Sequence, residues 1–254
     1  MDPDYSLSAE AGVRPMIRVM LVDDEQFARQ ELATLLGEIG GCKIAASCAN
    51  AIEALKLLNR EHFDLLFLDI QMPLIDGFEL LGMVEPARMP HVVFVTAYDE
   101  YALKAFEEKT LDYLLKPVEK ARLEKTFAKL QGMIQQHQAP EAAYEIPPLK
   151  HIPCLCGNRV KLIPPAEVEA VRSDLSGVHL LLEQGGECFT EMTLKVISEQ
   201  TELLYCHRQI LINPDRIESI QLLDQGLAEI RTRGGRTLPV SRRYLRQLRE
   251  RLGF

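Results

Sequence analysis

The chain has 254 residues, enough for two ordinary domains. Its 47% hydrophobic content is that of a globular protein, no apolar run approaches the roughly 18 residues of a membrane-crossing helix, and no signal-peptide pattern opens it, so a helical membrane protein is excluded. Residues 16–131 carry 13 Lys+Arg against 19 Asp+Glu, whereas 149–254 carry 15 against 13, with eight arginines after position 230; this split predicts two domains with different partners, the second able to meet a phosphate backbone.

Six cysteines (Cys42, Cys48, Cys154, Cys156, Cys188 and Cys206) form no CxxC pair and no Cys/His zinc set. Reduced thiols in a cytoplasmic protein are expected. Residues 1–15 are polar and aperiodic and are expected to be a disordered extension. Residues 17–22 read as a buried strand ending in Asp23-Asp24-Glu25. A helix follows with Phe27, Ala28, Leu32, Leu35, Leu36 and Ile39 on one face, stopped by Gly40-Gly41. A strand over 43–49 and a helix over 51–60 come next. The apolar run Leu65-Leu66-Phe67-Leu68 reads as a strand buried on both faces. It ends in one carboxylate, Asp69, followed by Pro73 and Asp76-Gly77. A helix over 78–84, a strand over 91–96, a helix over 100–108, a strand over 111–115 and an amphipathic helix over 119–134 complete the set. Five strands alternating with five helices predict a doubly wound α/β domain with a parallel sheet over 16–134.

All strands of a parallel sheet run the same way, so Asp23, Asp24, Asp69, Thr96 and Lys116 share its carboxyl edge, where such sheets bind ligands. Three carboxylates in one cleft repel unless a cation joins them. Oxygen-only ligands suit Mg²⁺ in a site shared with phosphate oxygens. A lysine and a hydroxyl opposite them suit a transferred phosphoryl group. The constellation points to a carboxylate that accepts a phosphoryl group beside a metal ion.

Asp23-Asp24, Asp69, Thr96 and Lys116-Pro117, in this order, resemble the signature of two-component receiver domains over about residues 17–134. The resemblance implies a flavodoxin-like fold with Asp69 as phospho-acceptor. It implies Mg²⁺ bound by Asp24, Asp69 and the Gln71 carbonyl, with Asp23 acting through a water. Thr96 and Lys116 then bond phosphoryl oxygens, and Tyr113 matches the family's switch aromatic, a plain core aromatic being the alternative. A sensor histidine kinase is implied as phosphoryl donor. Homodimerisation is implied through the surface of the fourth helix, fifth strand and fifth helix, remodelled on phosphorylation.

Residues 135–149 lack a hydrophobic period and hold three prolines, which reads as a linker. Beyond it, short strands are expected over 159–163, 178–182, 203–206, 210–212, 217–223 and 228–231, punctuated by Gly185-Gly186, Asn213-Pro214, Gln225-Gly226 and Gly234-Gly235. Only 193–200 and 241–252 look helical, the latter with Ser241 as N-cap. This is a mostly antiparallel β domain over 150–254 without a helix-turn-helix pair, which predicts DNA reading by strands and loops. Tyr205-Cys206-His207-Arg208-Gln209-Ile210-Leu211-Ile212-Asn213 and Leu238-Pro239-Val240-Ser241-Arg242-Arg243-Tyr244 resemble the two most recognisable segments of the LytTR DNA-binding family.

By that resemblance, Arg172 and Asp174 in a loop around Ser173, then His207, Arg208, Arg242 and Arg243, face double-stranded DNA with spaced half-sites. A core histidine is the alternative for His207. Cys206 is expected to be a buried packing residue and Asn213 to satisfy a turn. Tyr205 departs from the basic residue frequent before Cys-His, which leaves one phosphate contact fewer. The whole chain resembles a phosphorylation-controlled LytTR response regulator, a family often paired with membrane-embedded sensor kinases, and is not expected to be an enzyme. An aspartate phosphatase would need a second Asp where Gln71 stands. An RNA-binding adaptor would need stacking aromatics that the second half has in short supply.

Overall fold

A computed structural model describes residues 16–97, 111–135, 148–157, 159–223 and 226–254. The extension at 1–15, the helix expected over 100–108 and most of the expected linker lie outside the described residues. The strands β1 (Ile17–Val22), β2 (Cys42–Cys48), β3 (Leu65–Leu68), β4 (His91–Thr96) and β5 (Asp112–Leu115) form one parallel sheet in the order β2-β1-β3-β4-β5. The helices described with it are α1 (Gln26–Ile39), α2 (Ala51–Leu58), α3 (Gly77–Met83) and α4 (Lys120–Gln135).

Successive strand residues point to opposite faces, and here both faces are covered. Val19, Leu21, Phe67 and Val93 pack with Leu36 of α1 and Phe127 of α4. Met20, Leu66, Leu68 and Phe94 pack with Leu55 of α2 and Leu80 of α3. That double burial is why β3 is apolar at every position. Phe27 is a correction: it is 85% exposed rather than on the buried face, because the first turn of α1 begins at the strand ends, past the sheet. Gly40, with φ 73°, ends α1. Asn50 caps α2, and Asp76 and Glu79 cap α3 reciprocally.

The second part is antiparallel. β6 (Ile152–Cys156), β7 (Arg159–Ile163), β8 (Val168–Asp174), β9 (Gly177–Leu182), β10 (Glu187–Thr190), β11 (Leu204–His207) and β12 (Ile210–Ile212) form a sheet in the order β11-β12-β8-β9-β10-β6-β7. β13 (Ile217–Leu222), β14 (Ala228–Thr232) and β15 (Thr237–Val240) form a second, smaller one. Ala170, Ile212, Ile230 and Val240 pack between the sheets with Leu245 and Leu248 of α6 (Arg242–Leu252). The other face of the large sheet packs Val171 and Leu211 against Ile197 of α5 (Leu194–Gln200).

The strands β6, β8, β10 and β15 go beyond those expected from the sequence, and the segment expected as a loop around Ser173 is the end of β8. β8 hides its nature because its second residue, Glu169, is a fully buried acid that bonds the Gly234 N–H (2.6 Å) and the Arg236 guanidinium. Pro153 masks β6 in the same way. Ser241 stands at the N-cap of α6, but its hydroxyl makes no capping bond.

Candidate functional site

Asp69 follows β3 directly, and its N–H donates to the Val22 carbonyl (2.8 Å), which sets it level with the end of β1. Asp23 and Asp69 are each 6% exposed, and Asp24 is exposed. Lys116, just past β5, brings Nζ to 2.7 Å from Asp69 Oδ2 and 2.7 Å from Asp23 Oδ2, with Glu25 Oε2 at 3.7 Å. Burial alone would lower the Lys116 pKa, but its bonds to the two carboxylates outweigh this and raise it. Burial pushes the Asp23 carboxyl above its usual range despite bonds from Lys116 and the Glu25 N–H. One ammonium among three carboxylates leaves the cleft negative.

Carboxylate oxygens of Asp23, Asp24 and Asp69 lie within 4.8 Å of one another. An all-oxygen, anionic donor set at that spacing fits a hard divalent cation. The Gln71 N–H donates to Asp69 Oδ1 (3.2 Å), so the Gln71 backbone runs beside these groups. Thr96 Oγ1 is buried with no hydrogen-bond partner among the described residues. Leaving such a group unpaired costs about 1–3 kcal/mol, and a ligand oxygen at the cleft would repay it. Tyr113 is half-buried, sits opposite Phe94 in register and packs against the core beneath the site. Two further residues shape the cleft. Arg29 donates from Nη1 to the Asp23 carbonyl (2.5 Å). A Cβ on Gly77 would come 2.5 Å from the Asp69 carbonyl oxygen, so α3 starts directly on the Asp69 backbone. The Asp76-x-x-Glu79 capping box was the readable signal for that tight start.

In the second part, three separated segments converge at one end of the large sheet. Ile210 lies opposite Arg172, and the Ser173 N–H donates to the Gln209 carbonyl (2.9 Å), so the ends of β8 and β12 sit side by side. The Ser241 N–H donates to the Cys206 carbonyl (3.1 Å), which brings the start of α6 beside β11. Tyr205 and Tyr244 stack there with ring centroids 5.6 Å apart. Arg172 is engaged by Glu187 (2.9 Å) and Asp174 (3.4 Å), and the Asp174 carboxylate pins its own turn through the Ser176 N–H and hydroxyl. His207 Nδ1 accepts from the Gln209 N–H (3.3 Å), so the neutral ring carries its proton on Nε2. Arg208, Arg242 and Arg243 are exposed, and among the described residues none is in an ion pair with an acid. Cys206 is fully buried with its thiol pushed up to about 12 by desolvation. Asn213 spends both side-chain ends on the Val168 carbonyl and the Asp215 N–H. Among the described residues, no helix is long and apolar enough to cross a membrane.

Residues 19–128 match the response regulator receiver domain family, and residues 158–253 match the LytTr DNA-binding domain family. The chain is 50% identical over 240 residues to a protein of Vibrio cholerae described as an uncharacterized response regulatory protein, covering 94% of this chain and all of that one. It is 45% identical over 239 residues to the transcriptional regulatory protein BtsR of Escherichia coli K12, covering 94% of this chain and all of the relative. Among solved structures, the response regulatory domain of mrkE from Klebsiella pneumoniae aligns at 34% identity and a TM-score of 0.44, over 47% of this chain and 99% of that one.

Proposed function

Because the chain belongs to the response regulators that join a receiver domain to a LytTR DNA-binding domain, we propose that Asp69 takes the phosphoryl group and that the edge carrying Arg208 and Arg243 meets promoter DNA. A response regulator of this kind regulates transcription. The observation that carries the assignment of Asp69 is the cleft itself: Lys116 bridges Asp69 and Asp23 at 2.7 Å, beside a Thr96 hydroxyl that has no partner among the described residues.

The donor is a phosphohistidine on a sensor kinase, embedded in the membrane as is common for this family. An Asp69 carboxylate oxygen attacks phosphorus, the P–N bond breaks and the imidazole leaves. Mg²⁺ held by Asp24, Asp69 and the Gln71 carbonyl, with Asp23 acting through a water, would neutralise charge on the moving group. Lys116 turns its ammonium to one phosphoryl oxygen, and the Thr96 hydroxyl donates to another. Tyr113, on the strand that leads to Lys116, is the aromatic that follows this rearrangement. Gln71, where a phosphatase would need an acid, supports a regulatory acceptor rather than a hydrolase.

In the second domain Arg208, Arg242, Arg243 and His207 supply donors to phosphates and base edges. Arg172 and Asp174 shape the neighbouring turn, with Arg172 leaving Glu187 to reach DNA. The protein works in the cytoplasm, as a homodimer on spaced half-sites. The test is selection from random duplex DNA at about physiological salt, with Mg²⁺ and acetyl phosphate, for wild type and Asp69→Ala. Paired half-sites enriched by wild type and weakened in Asp69→Ala are expected. Equal enrichment by both would remove phosphorylation as the control, and none by either would remove DNA as the partner.

A further inference from the structure

The two domains touch through residues that neither activity uses. Asn59, the residue that ends α2, donates from Nδ2 to the Glu191 main-chain carbonyl (2.6 Å). Arg60 faces the Glu191 carboxylate (3.8 Å), and Glu85 faces Lys195 (3.6 Å). Between these polar contacts α3 packs on α5. Buried side chains run without a break from Leu80 and Met83 on one side to Met192 and Ile197 on the other.

Each end of this junction leads to a site. On the receiver side, α3 begins at Gly77, in contact with the Asp69 carbonyl. The loop from Asp69 to α3 holds Leu74 in the left-handed region (φ 72°), a strained conformation for a leucine, and Leu74 lines the crevice shared with Leu155 and Val160 of the second domain. On the other side, α5 packs on β8 and β12, the strands whose ends carry Arg172 and follow the Arg208 turn. Asp69, α3, α5 and the DNA-facing turns are thus consecutive packed neighbours.

We propose that the α2–α3 face of the receiver is a docking surface for the α5 face of the same chain's DNA-binding domain, and that a phosphoryl group on Asp69 alters DNA binding through it. This rests on the assignments of Asp69 and of the DNA edge made above. The phosphoryl group takes Lys116 from the Asp69 carboxylate and fills the cleft beside the residue from which the loop to α3 starts, which moves that loop. A shift of α3 against α5 changes the free energy of one domain orientation relative to others, and only such differential contact couples two sites.

The experiment uses the full-length chain with beryllofluoride and Mg²⁺ as the phosphoryl mimic, read by amide hydrogen exchange and by DNA affinity. In wild type, loading is expected to change exchange in the loop 69–77 and across 194–200, and to change DNA affinity by the roughly 5–150-fold typical of coupled sites. Asn59→Asp sets a carboxylate against the Glu191 carbonyl. It should keep the response in 69–77, lose it in 194–200 and bring the two DNA affinities within about twofold. Lys195→Glu should uncouple likewise, and adding Glu85→Lys should restore coupling, which keeps the idea testable should Asn59→Asp misfold. No response across 194–200 in wild type, or an Asn59→Asp protein that responds like wild type, would overturn the proposal. A response in 194–200 without DNA binding by any form would sink the DNA reading alone, and no response in 69–77 would sink the Asp69 reading.

Discussion

Lys116 holds two buried carboxylates at 2.7 Å each, so deleting its charge removes both the cation that steadies Asp69 and the partner proposed for the incoming phosphoryl oxygen. Lys116→Met should therefore slow phosphoryl incorporation from acetyl phosphate by about 10²–10³-fold, the loss usual for one electrostatic partner of a transition state. Intact-mass kinetics measures it, and an unchanged rate would remove Lys116 from the chemistry. His91 opens β4 and is buried, and burial holds its pKa below the ordinary 6.5. The folded chain resists a proton that the unfolded chain accepts, so the stability present above pH 6.5 is lost as pH falls below it. The urea midpoint of the receiver transition should drop between about pH 7.5 and 5.5, with a shallower drop in His91→Leu. Equal slopes in the two proteins would assign the drop to other groups.

The loop between β3 and α3 is the element on which the geometry of Asp69 depends. The reciprocal Asp76–Glu79 cap fixes where α3 starts, and Gly77 lets that start press on the Asp69 backbone. In Gly77→Ala the new Cβ meets main-chain atoms of Asp69 and Ile70, which cannot swing aside as a side-chain end would. The loop must shift, and a misplacement of about 1 Å at a reacting centre costs on the order of 10²-fold in rate. Phosphorylation at least tenfold slower in a protein with an unchanged circular dichroism spectrum is the expected result; a wild-type rate would show that the loop tolerates the shift.

At the scale of the whole molecule, the charge split of the sequence becomes a division of labour. The acidic cleft lies in the first domain, and arginines with no acid partner among the described residues stand at one end of the second. The proposed dimer would present Arg208, Arg242 and Arg243 twice, about six cations for six phosphates, so DNA affinity should fall by on the order of 10³-fold between 50 and 200 mM salt. Arg243→Ala should make the salt slope shallower by about one for each phosphate left without its arginine, and an unchanged slope would take Arg243 off the phosphate backbone. The mass in solution should double when beryllofluoride and Mg²⁺ are bound. A mass that stays monomeric would shift dimer formation to the DNA itself.

The acidic cleft was legible in the sequence because topology does the gathering. Once β1, β3, β4 and β5 are read as parallel, residues as far apart as Asp23 and Lys116 must share one edge, whatever the details of packing. The apolar run at Leu65–Leu68 and the stop at Gly40-Gly41 are equally local signals, and both matched. Phe27 failed because helical periodicity says which side chains share a face but not where the sheet beneath them ends. β8 failed because the burial of Glu169 makes sense only with Arg236 and Gly234 beside it, more than sixty residues away. The same holds for Arg172, whose engagement by Glu187 no spacing reveals, and for the seating of α3 on α5. Periodicity and strand-end chemistry are properties of short stretches, so the sequence by itself determined the receiver's described elements and the carboxylates, lysine and hydroxyl gathered at its cleft. Partners joined across long loops are chosen by how whole surfaces fit and which buried charges find each other, so only the tertiary structure decided the strand set of the second domain, the convergence of its arginine segments and the face on which the two domains meet.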